Sequence, residues 1–237
     1  MVAQPQSATQ LPPRDPVYPE SDGKPMADNT KQFDAIVLIK TNIDDRVPDF
    51  VAGDHFWYPV EGRPDIVVAP DVFVAIGRPK GPRRSYRQWV EGGVAPQVVF
   101  EVLSPSNTLR EMMDKAAFYL QYGVEEFYLY DPDNETAWGH VRDESGRHQK
   151  VETLDGWVSP RLGIRFDLSG GALVIYDRDG QRFEAPSELR KRAEEEAAKA
   201  RAESARAEAE SARADREAER ARRLAEKLRA AGLDPDA

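Results

Sequence analysis

The stretch QVVFEVLSPSNTLREMMDKAAFYLQYGVEEFYLYDPD, residues 97–133, decides the fold of this chain. It opens with the apolar run QVVFEVL and closes with EEFYLYD, and both runs are rich in the β-branched and aromatic residues of strands. Between them, Thr108 and Glu111 form the pattern of a capping box, and Gly123 is a good helix C-cap. The stretch therefore predicts a strand, a helix and a second strand.

The flanking segments predict further elements of the same fold. Residues 29–47 have the spacing of a helix that Asn29 or Thr30 can cap, and HFWYPV (55–60) and IVVAPDVFVAI (66–76) are strand-like, the second one interrupted by Pro70. We predict an α/β fold, with a mixed central sheet flanked by helices and added β-hairpins. The predicted hairpin strands are 136–142, 148–153, 163–168 and 172–177. The residues at helical spacing are Phe33, Ile36, Val37, Lys40, Ile43 and Val47 in the first helix, and Leu109, Met112, Met113, Ala116, Tyr119 and Leu120 in the second.

The two ends of the chain differ in composition from the predicted core domain, residues 30–186. Residues 1–29 are rich in proline and predict an extended or disordered arm. Residues 187–231 repeat in heptads, with glutamate at one position and lysine or arginine three residues later, which predicts a long helix before a short tail at 232–237. Its seam consists of small residues, so both a solvated single helix and a weak coiled coil fit the pattern.

Composition limits the classes of function. The chain has 33 basic and 42 acidic residues and a net charge of −9; residues 187–231 hold 13 and 11 of them, so the remainder carries −11. This argues against broad electrostatic binding to nucleic acid or to anionic membranes. The absence of cysteine excludes disulfides, zinc ribbons and cysteine nucleophiles. No apolar run is long enough to span a membrane and no secretory signal is present, which predicts a cytoplasmic protein without a membrane partner.

Three charged residues are candidates for chemistry. Glu101 interrupts an apolar strand, where a carboxylate is costly unless it is paired or binds a cation. Asp71 precedes the run VFVAIG, and Lys115 lies on the helix that follows the strand of Glu101. Two carboxylates can hold Mg²⁺, and a lysine can hold an attacking water or stabilise a phosphate in its transition state.

The motifs PDV, EVLSPS, DKAAFY and YGVEEFYLYDP resemble the PD-(D/E)XK nuclease superfamily, and more closely its bacterial Uma-two branch, over residues 18–180. The resemblance implies a restriction-endonuclease-like core, dependence on Mg²⁺ (or Mn²⁺) and cleavage of DNA phosphodiesters. It makes Asp71 and Glu101 the metal ligands and Lys115 the catalytic lysine. The superfamily's usual spacing would place the lysine at Leu103, so here the helix has to pack its Lys115 face over the strand end.

Other charged residues leave alternatives open. Asp65 also follows a proline before a β run, and Glu20 resembles an acidic N-terminal motif of the family. The loop at residues 78–87 is strongly basic within an acidic body, and it fits either phosphate contact beside the site or an ordinary surface loop ordered through Trp89. Its candidate nucleic-acid-binding residues are Arg78, Lys80, Arg83, Arg84 and Arg87.

The sequence thus favours a Mg²⁺-dependent DNA endonuclease, a hydrolase whose substrate is DNA. The alternative is a non-catalytic, nuclease-like binding or assembly protein. In either case the C-terminal helix is a candidate for homodimer formation through a coiled coil.

Overall fold

The computed structural model describes residues 16–21, 23 and 27–230, and it divides between Ala185 and Pro186 into two compact units. Most of the predicted proline-rich arm and the tail at 232–237 therefore lie outside the described residues. The helices are α1 (Thr30–Arg46), α2 (Leu109–Tyr122) and α3 (Pro186–Ala230). The strands are β1 (Asp49–Gly53), β2 (Trp57–Tyr58), β3 (Val72–Pro79), β4 (Tyr86–Arg87), β5 (Val98–Val102), β6 (Glu126–Asp131), β7 (Thr136–Arg142), β8 (His148–Val151), β9 (Arg165–Asp167) and β10 (Val174–Tyr176).

The first unit is built on a six-stranded mixed sheet in the order β1-β3-β5-β6-β7-β8. Strands β5 and β6 are parallel, and the other neighbouring strands in this sheet are antiparallel. The pairs β2/β4 and β9/β10 form two further small sheets. This arrangement confirms the predicted α/β fold with a mixed central sheet, flanking helices and added hairpins.

Strand β5 is an interior strand of the central sheet and is buried at every position. Its side chains alternate, so Val98, Phe100 and Val102 pack in the cluster that contains the isoleucines of α1. Val99 packs in the opposite cluster with Met112 and Tyr119 of α2. Burial on both faces explains why the strand is almost entirely apolar, and it makes any charged residue within the strand conspicuous.

Helix α2 begins and ends where the sequence predicts. The Thr108 side chain accepts a hydrogen bond from the Glu111 amide at 3.2 Å, and the Glu111 carboxylate accepts one from the Thr108 amide at 2.8 Å. Gly123 then takes the left-handed conformation, with φ of 106°, that glycine adopts without steric cost. Both ends of α2 are thus fixed by local hydrogen bonds.

The buried faces of the helices differ from the predicted apolar faces. Polar Gln32 and Asn42 are 5 % and 0 % exposed on α1, while Met112 and Tyr119 are the buried residues of α2. Polar residues occupy core positions because they bond to backbone groups there, which a count of apolar residues cannot detect. Four of the predicted face residues turn towards solvent instead: Phe33, Leu109, Met113 and Leu120.

The strands upstream of β5 also differ from the prediction. The run at 55–60 forms only the two residues of β2, and the run at 66–76 becomes a strand only from Val72 onward. Val68 makes an isolated bridge to Trp57, and the intervening Pro70, which has no N–H group, separates it from β3. Strand β1 and the short β4 were not predicted, because neither segment shows a clear alternation of apolar residues.

The second unit is the helix α3, which is 45 residues long and exposed along nearly its whole length. Two ion pairs on it join residues four apart, Arg213 to Glu217 at 3.1 Å and Glu219 to Arg223. Among the described residues, no helix is long and apolar enough to cross a membrane.

Candidate active site

Three acidic residues come next to each other where three strands of the central sheet meet. Gly53 of β1 pairs with Val72 of β3, and Val72 pairs with Phe100 of β5. One step further along the three strands lie Asp54, Asp71 and Glu101, and the Asp54 amide donates to the Asp71 carbonyl at 3.1 Å. Residues that are neighbours across a sheet face the same side, so this register brings Asp71 to Glu101 from a distance of thirty positions in the chain.

Glu101 is the most deeply buried of these acids, with 2 % of its surface exposed. Its Oε2 atom accepts a hydrogen bond from Lys115 Nζ at 2.7 Å, and its Oε1 atom accepts one from the Tyr119 hydroxyl. Lys115 and Tyr119 are one turn apart on α2, so a single helix face supplies both donors. The helix therefore packs its Lys115 face over the strand, as the displaced lysine requires.

Asp71 lies where the chain enters β3, directly after Pro70, and is 9 % exposed. Its Oδ2 atom accepts a hydrogen bond from the Val102 amide at 2.7 Å, which holds it against the residue that follows Glu101. Burial and the neighbouring Glu101 carboxylate raise the pKa of Asp71 well above its usual range. Its environment thus favours the neutral acid unless a further cation is present.

Lys115 is held as an ammonium group. Burial by itself lowers its pKa, but the carboxylates of Glu101 and Asp71 outweigh that effect, so the pKa of Lys115 lies above its ordinary value. The side chain remains 26 % exposed, and Nζ also lies 3.4 Å from the Ala69 carbonyl. A permanently charged, partly accessible ammonium can stabilise negative charge but does not act as a base.

The charges and ligand types in this site fit a divalent cation. Asp71 and Glu101 bring two carboxylates together, and Lys115 balances only one of them when both are ionised. Carboxylate oxygens are the preferred ligands of Mg²⁺ and Mn²⁺. Among the described residues, no group of three or more His, Cys, Asp or Glu side chains could hold a metal ion. Two protein carboxylates suit Mg²⁺, which usually keeps several waters.

Tyr119 and Asp54 belong to this site and were not identified from the sequence as site residues. Tyr119 is fully buried, and burial followed by the Glu101 carboxylate raises the pKa of its hydroxyl well above the usual range, so it stays a donor. Asp54 is exposed, has a left-handed backbone with φ of 45°, and raises the pKa of Asp71 through its charge. In the sequence, Tyr119 fits the apolar face of a helix and so does not stand out. Its position one turn after Lys115 was the signal that could have identified it as a site residue.

The two alternative acids have other charged partners. Asp65 forms an exposed ion pair with Arg63 at 2.6 Å, and that arginine lowers the pKa of the Asp65 carboxyl. Glu20 lies 3.3 Å from Arg84. The structure thus joins Lys115 to Glu101 by a direct ion pair and places Asp71 next to Glu101 in the sheet register, whereas Asp65 and Glu20 lie in separate ion pairs.

Most of the basic residues in the loop at 78–87 are paired with acids of the chain itself. The Glu91 carboxylate, on a largely buried residue, binds Arg78 at 3.0 Å and Arg83 at 2.7 Å. Lys80 pairs with Asp44 at 3.1 Å. These contacts give part of the loop a role within the fold. The interleaved Tyr86 is also part of the core, at 0 % exposure, rather than a surface aromatic residue.

Arg84 and Arg87 differ from the other basic residues of this loop in their surroundings. The Arg84 side chain is 84 % exposed, and its ion pair with Glu20 lies at the surface. The Arg87 guanidinium lies 4.8 Å from the centre of the Tyr18 ring, and that ring in turn lies 5.1 Å from Trp89. This corner of the loop therefore combines positive charge with aromatic surface.

Comparisons with known proteins identify the family. No curated protein matches the chain. The chain is similar to a solved structure described as a "putative nuclease belonging to DUF820" from Anabaena variabilis ATCC 29413, with 16 % identity, a TM-score of 0.39, and coverage of 54 % of this chain and 69 % of that one. The model of the Uma2 family, described as "Putative restriction endonuclease", matches residues 10–175, so the chain belongs to that family.

Proposed function

We propose that this protein is a divalent-metal-dependent DNA endonuclease that hydrolyses phosphodiester bonds. The observation that carries the proposal is the buried Glu101 carboxylate, which binds the Lys115 ammonium and has Asp71 as a neighbouring acid in the sheet register. A structural glutamate in the middle of a sheet needs partners but has no need of another acid beside it. Membership of a family described as "Putative restriction endonuclease" supports the same chemistry.

The residues divide the work by their chemistry. Asp71 and Glu101 would hold Mg²⁺ or Mn²⁺, and the bound ion would acidify a water and offset the charge of the scissile phosphate. Lys115 carries a fixed positive charge within reach of Glu101, where it can orient a water or stabilise negative charge on a phosphoryl oxygen. Tyr119 and the Val102 amide fix the two carboxylates by hydrogen bonds.

The direct test is incubation of supercoiled plasmid with the purified full-length protein and Mg²⁺ or Mn²⁺. We expect nicked and linear products that chelation abolishes, and we expect Asp71→Asn to lose the activity. Asp65→Asn is the matched control, because Asp65 also follows a proline but is paired with Arg63 at the surface. Equal nicking by wild type and Asp71→Asn would place the site elsewhere.

The nucleic-acid contact is a second part of the proposal. Because Arg78, Lys80 and Arg83 pair with acids inside the chain, whereas the Arg84–Glu20 pair is exposed at the surface, we assign the phosphate contact chiefly to Arg84 and Arg87. Each phosphate contact that is lost should lower the salt dependence of binding by about one in slope. We expect the double substitution Arg84→Ala and Arg87→Ala to weaken DNA binding without metal, measured by fluorescence anisotropy over a salt series. Arg147→Ala, an exposed arginine in the β7–β8 turn, is the control.

A binding or assembly protein is the alternative outcome of these assays. It would bind DNA or a partner but show neither metal binding in calorimetry nor cleavage. Homodimer formation through α3 is a separate proposal, which rests on the heptads of small residues in that helix. Light scattering of the full chain and of a chain lacking residues 187–237 tests it; the same oligomeric state in both would refute it.

A further inference from the structure

The end of β5 has two backbone groups that the neighbouring strand cannot pair. On the β3 side, the ladder ends where Val72 lies opposite Phe100. Val102 is two residues further along β5, and side chains take the place of the missing strand. Its amide donates to Asp71 Oδ2 at 2.7 Å, and its carbonyl accepts from Gln32 Nε2 at 2.9 Å. Buried backbone groups need such partners, and here both are side chains.

Gln32 is suited to hold this position firmly. It lies in the first turn of α1 and is 5 % exposed. While its amide nitrogen binds the Val102 carbonyl, its Oε1 atom accepts a hydrogen bond from the Asp28 amide at 2.9 Å. Both ends of the side-chain amide are engaged, so its orientation is fixed. A continuous series of hydrogen bonds therefore runs from Asp28 through Gln32 and Val102 to Asp71.

The segment that leads into α1 also holds the loop before α2. The Ser104 hydroxyl donates to Asp28 Oδ2 at 2.6 Å, and the Ser104 amide donates to Asn107 Oδ1 at 2.9 Å. This loop connects the strand that carries Glu101 to the helix that carries Lys115. Ser104 is thus a structural partner, and its hydroxyl ties the β5–α2 loop to the segment just before α1.

We propose that Gln32 is a positioning residue of the site: it holds Val102 in place so that the Val102 amide keeps the Asp71 carboxylate beside Glu101. The inference rests on the proposed function, because it assigns Gln32 to the geometry of that metal site. Without the Gln32 amide, the Val102 carbonyl would be buried and unpaired, and the strand end would shift to find another partner. A shift of the strand end would move the Asp71 carboxylate, and misplacing a metal ligand lowers metal affinity and turnover strongly.

The test compares Gln32→Met with Asn42→Leu. Gln32→Met keeps the approximate volume and removes both hydrogen bonds. Asn42 is a buried amide on the same helix, but it binds the backbone of Glu184, with its nitrogen 2.8 Å from the carbonyl and its oxygen 3.1 Å from the amide. Both variants should lose stability. Only Gln32→Met should weaken Mn²⁺ binding in calorimetry, by about tenfold, and lower kcat on DNA while KM stays close to that of wild type.

Amide hydrogen exchange on the metal-free proteins separates this inference from the proposed function. We expect the Val102 amide to exchange faster in Gln32→Met than in Asn42→Leu, measured at matched global stability. Unchanged Val102 exchange together with wild-type Mn²⁺ affinity in Gln32→Met would overturn the inference alone. Failure of the wild-type protein to bind Mn²⁺ or to cut DNA would instead overturn the proposed function.

Discussion

Two glutamates are buried in the central sheet on neighbouring parallel strands, and their surroundings are opposite in character. Glu101 of β5 is 2 % exposed, faces α2, and has an ammonium group and a second acid beside it. Glu126 of β6 is 1 % exposed and lies in register with Val98, whose side chain packs on the other face of the sheet. It accepts hydrogen bonds from Tyr128, Ser159 and the Arg161 amide.

The difference shows how a structural carboxylate is distinguished from a functional one. Burial raises the pKa of Glu126, and its hydrogen-bond donors, Ser159 first, oppose that effect. Those donors hold the connection between β8 and β9 against the sheet, so Glu126 stabilises the fold. Around Glu101 the second acid, Asp71, adds a negative charge that Lys115 alone does not balance when both acids are ionised. Glu101 and Glu126 are both deeply buried, but of the two it is Glu101 that has a second acid, Asp71, beside it.

The largest expected effect is on activity. Glu101→Gln keeps the shape of the side chain and removes its charge, so cleavage of plasmid DNA should fall by at least about a hundredfold, the scale of losing a main electrostatic group of a site. Glu126→Gln should retain cleavage within about twofold per folded molecule. Single-turnover rates at saturating Mn²⁺ measure both. A comparable loss in the two variants would erase the distinction between them.

The order of the two glutamates should be reversed for stability, with the larger loss on substitution of Glu126. Glu126→Ala leaves the donors of Ser159, Tyr128 and Arg161 without an acceptor in the core, and we expect a loss of about 3 kcal/mol in the free energy of unfolding. Glu101→Gln removes the counter-ion of Lys115, but Asp71 remains as a second acid near that ammonium and the Gln oxygen can still accept from Tyr119, so the expected loss is smaller, about 1 kcal/mol. Urea unfolding of metal-free protein provides the values, and a greater loss in Glu101→Gln would contradict the assignment.

Each glutamate has its own tyrosine, which gives a matched pair of smaller substitutions. Tyr119→Phe removes one donor to Glu101, and we expect Mn²⁺ affinity or cleavage to fall by about tenfold. Tyr128→Phe removes one donor to Glu126 and should lower stability by about 1 kcal/mol with cleavage unchanged. Calorimetry, cleavage rates and thermal unfolding on both variants test the pair. Normal cleavage by Tyr119→Phe would limit that tyrosine to a packing role.

A smaller effect concerns the pH dependence of stability and of Mn²⁺ affinity, to which Asp71, the acid beside Glu101, should contribute. Because the folded-state pKa of Asp71 is raised, the folded metal-free protein holds its proton more tightly than the unfolded chain does. Stability should be greatest below the unfolded-state pKa and should fall as the pH rises to the folded-state value. A divalent ion competes with that proton, so Mn²⁺ affinity should rise with pH over the same window. Asp71→Asn should remove the contribution of Asp71 to the fall in stability, and it should remove the rise of Mn²⁺ affinity.

Glu126 provides the control for this pH series. Its folded-state pKa is also raised, so its contribution to stability has the same sign and falls as the pH rises through that interval. Glu126→Gln should therefore flatten part of the stability curve and leave the rise of Mn²⁺ affinity unchanged. Unfolding and calorimetric titrations at matched ionic strength measure the two curves. A Mn²⁺ curve that changes in Glu126→Gln would indicate coupling between the two faces of the sheet.

Local patterns in the sequence were sufficient to predict strand β5 and helix α2. The apolar run around Glu101 and the Thr108–Glu111 pattern depend on neighbouring residues only, and both correctly predicted β5 and the bounds of α2. The direct Lys115–Glu101 contact also follows from this short strand–helix unit. Such features need no knowledge of how distant segments meet.

Features that depend on distant contacts were missed. Gln32 binds a carbonyl seventy positions away, and its polar character argued against the buried face that it occupies. Glu126 follows Glu125 at the start of a strand, so in the sequence it resembles an exposed residue at a strand boundary. Its burial becomes evident only from the distant Ser159, whose hydroxyl donates to it. The positive charge of the loop at 78–87 likewise concealed that Arg78 and Arg83 share Glu91 as their partner. Composition gives the charges but not their pairing.

The fixed ends of α2 restrict which changes in chain length this family member can accept. An α-helix turns by roughly 100° for each residue, and the capping box at Thr108 sets the point from which that rotation is counted. Inserting or deleting one residue between the cap and Lys115 would turn the ammonium group away from Glu101, while many replacements of equal length would not. Gene variants of this segment should therefore be permissive in residue type and intolerant of insertions and deletions.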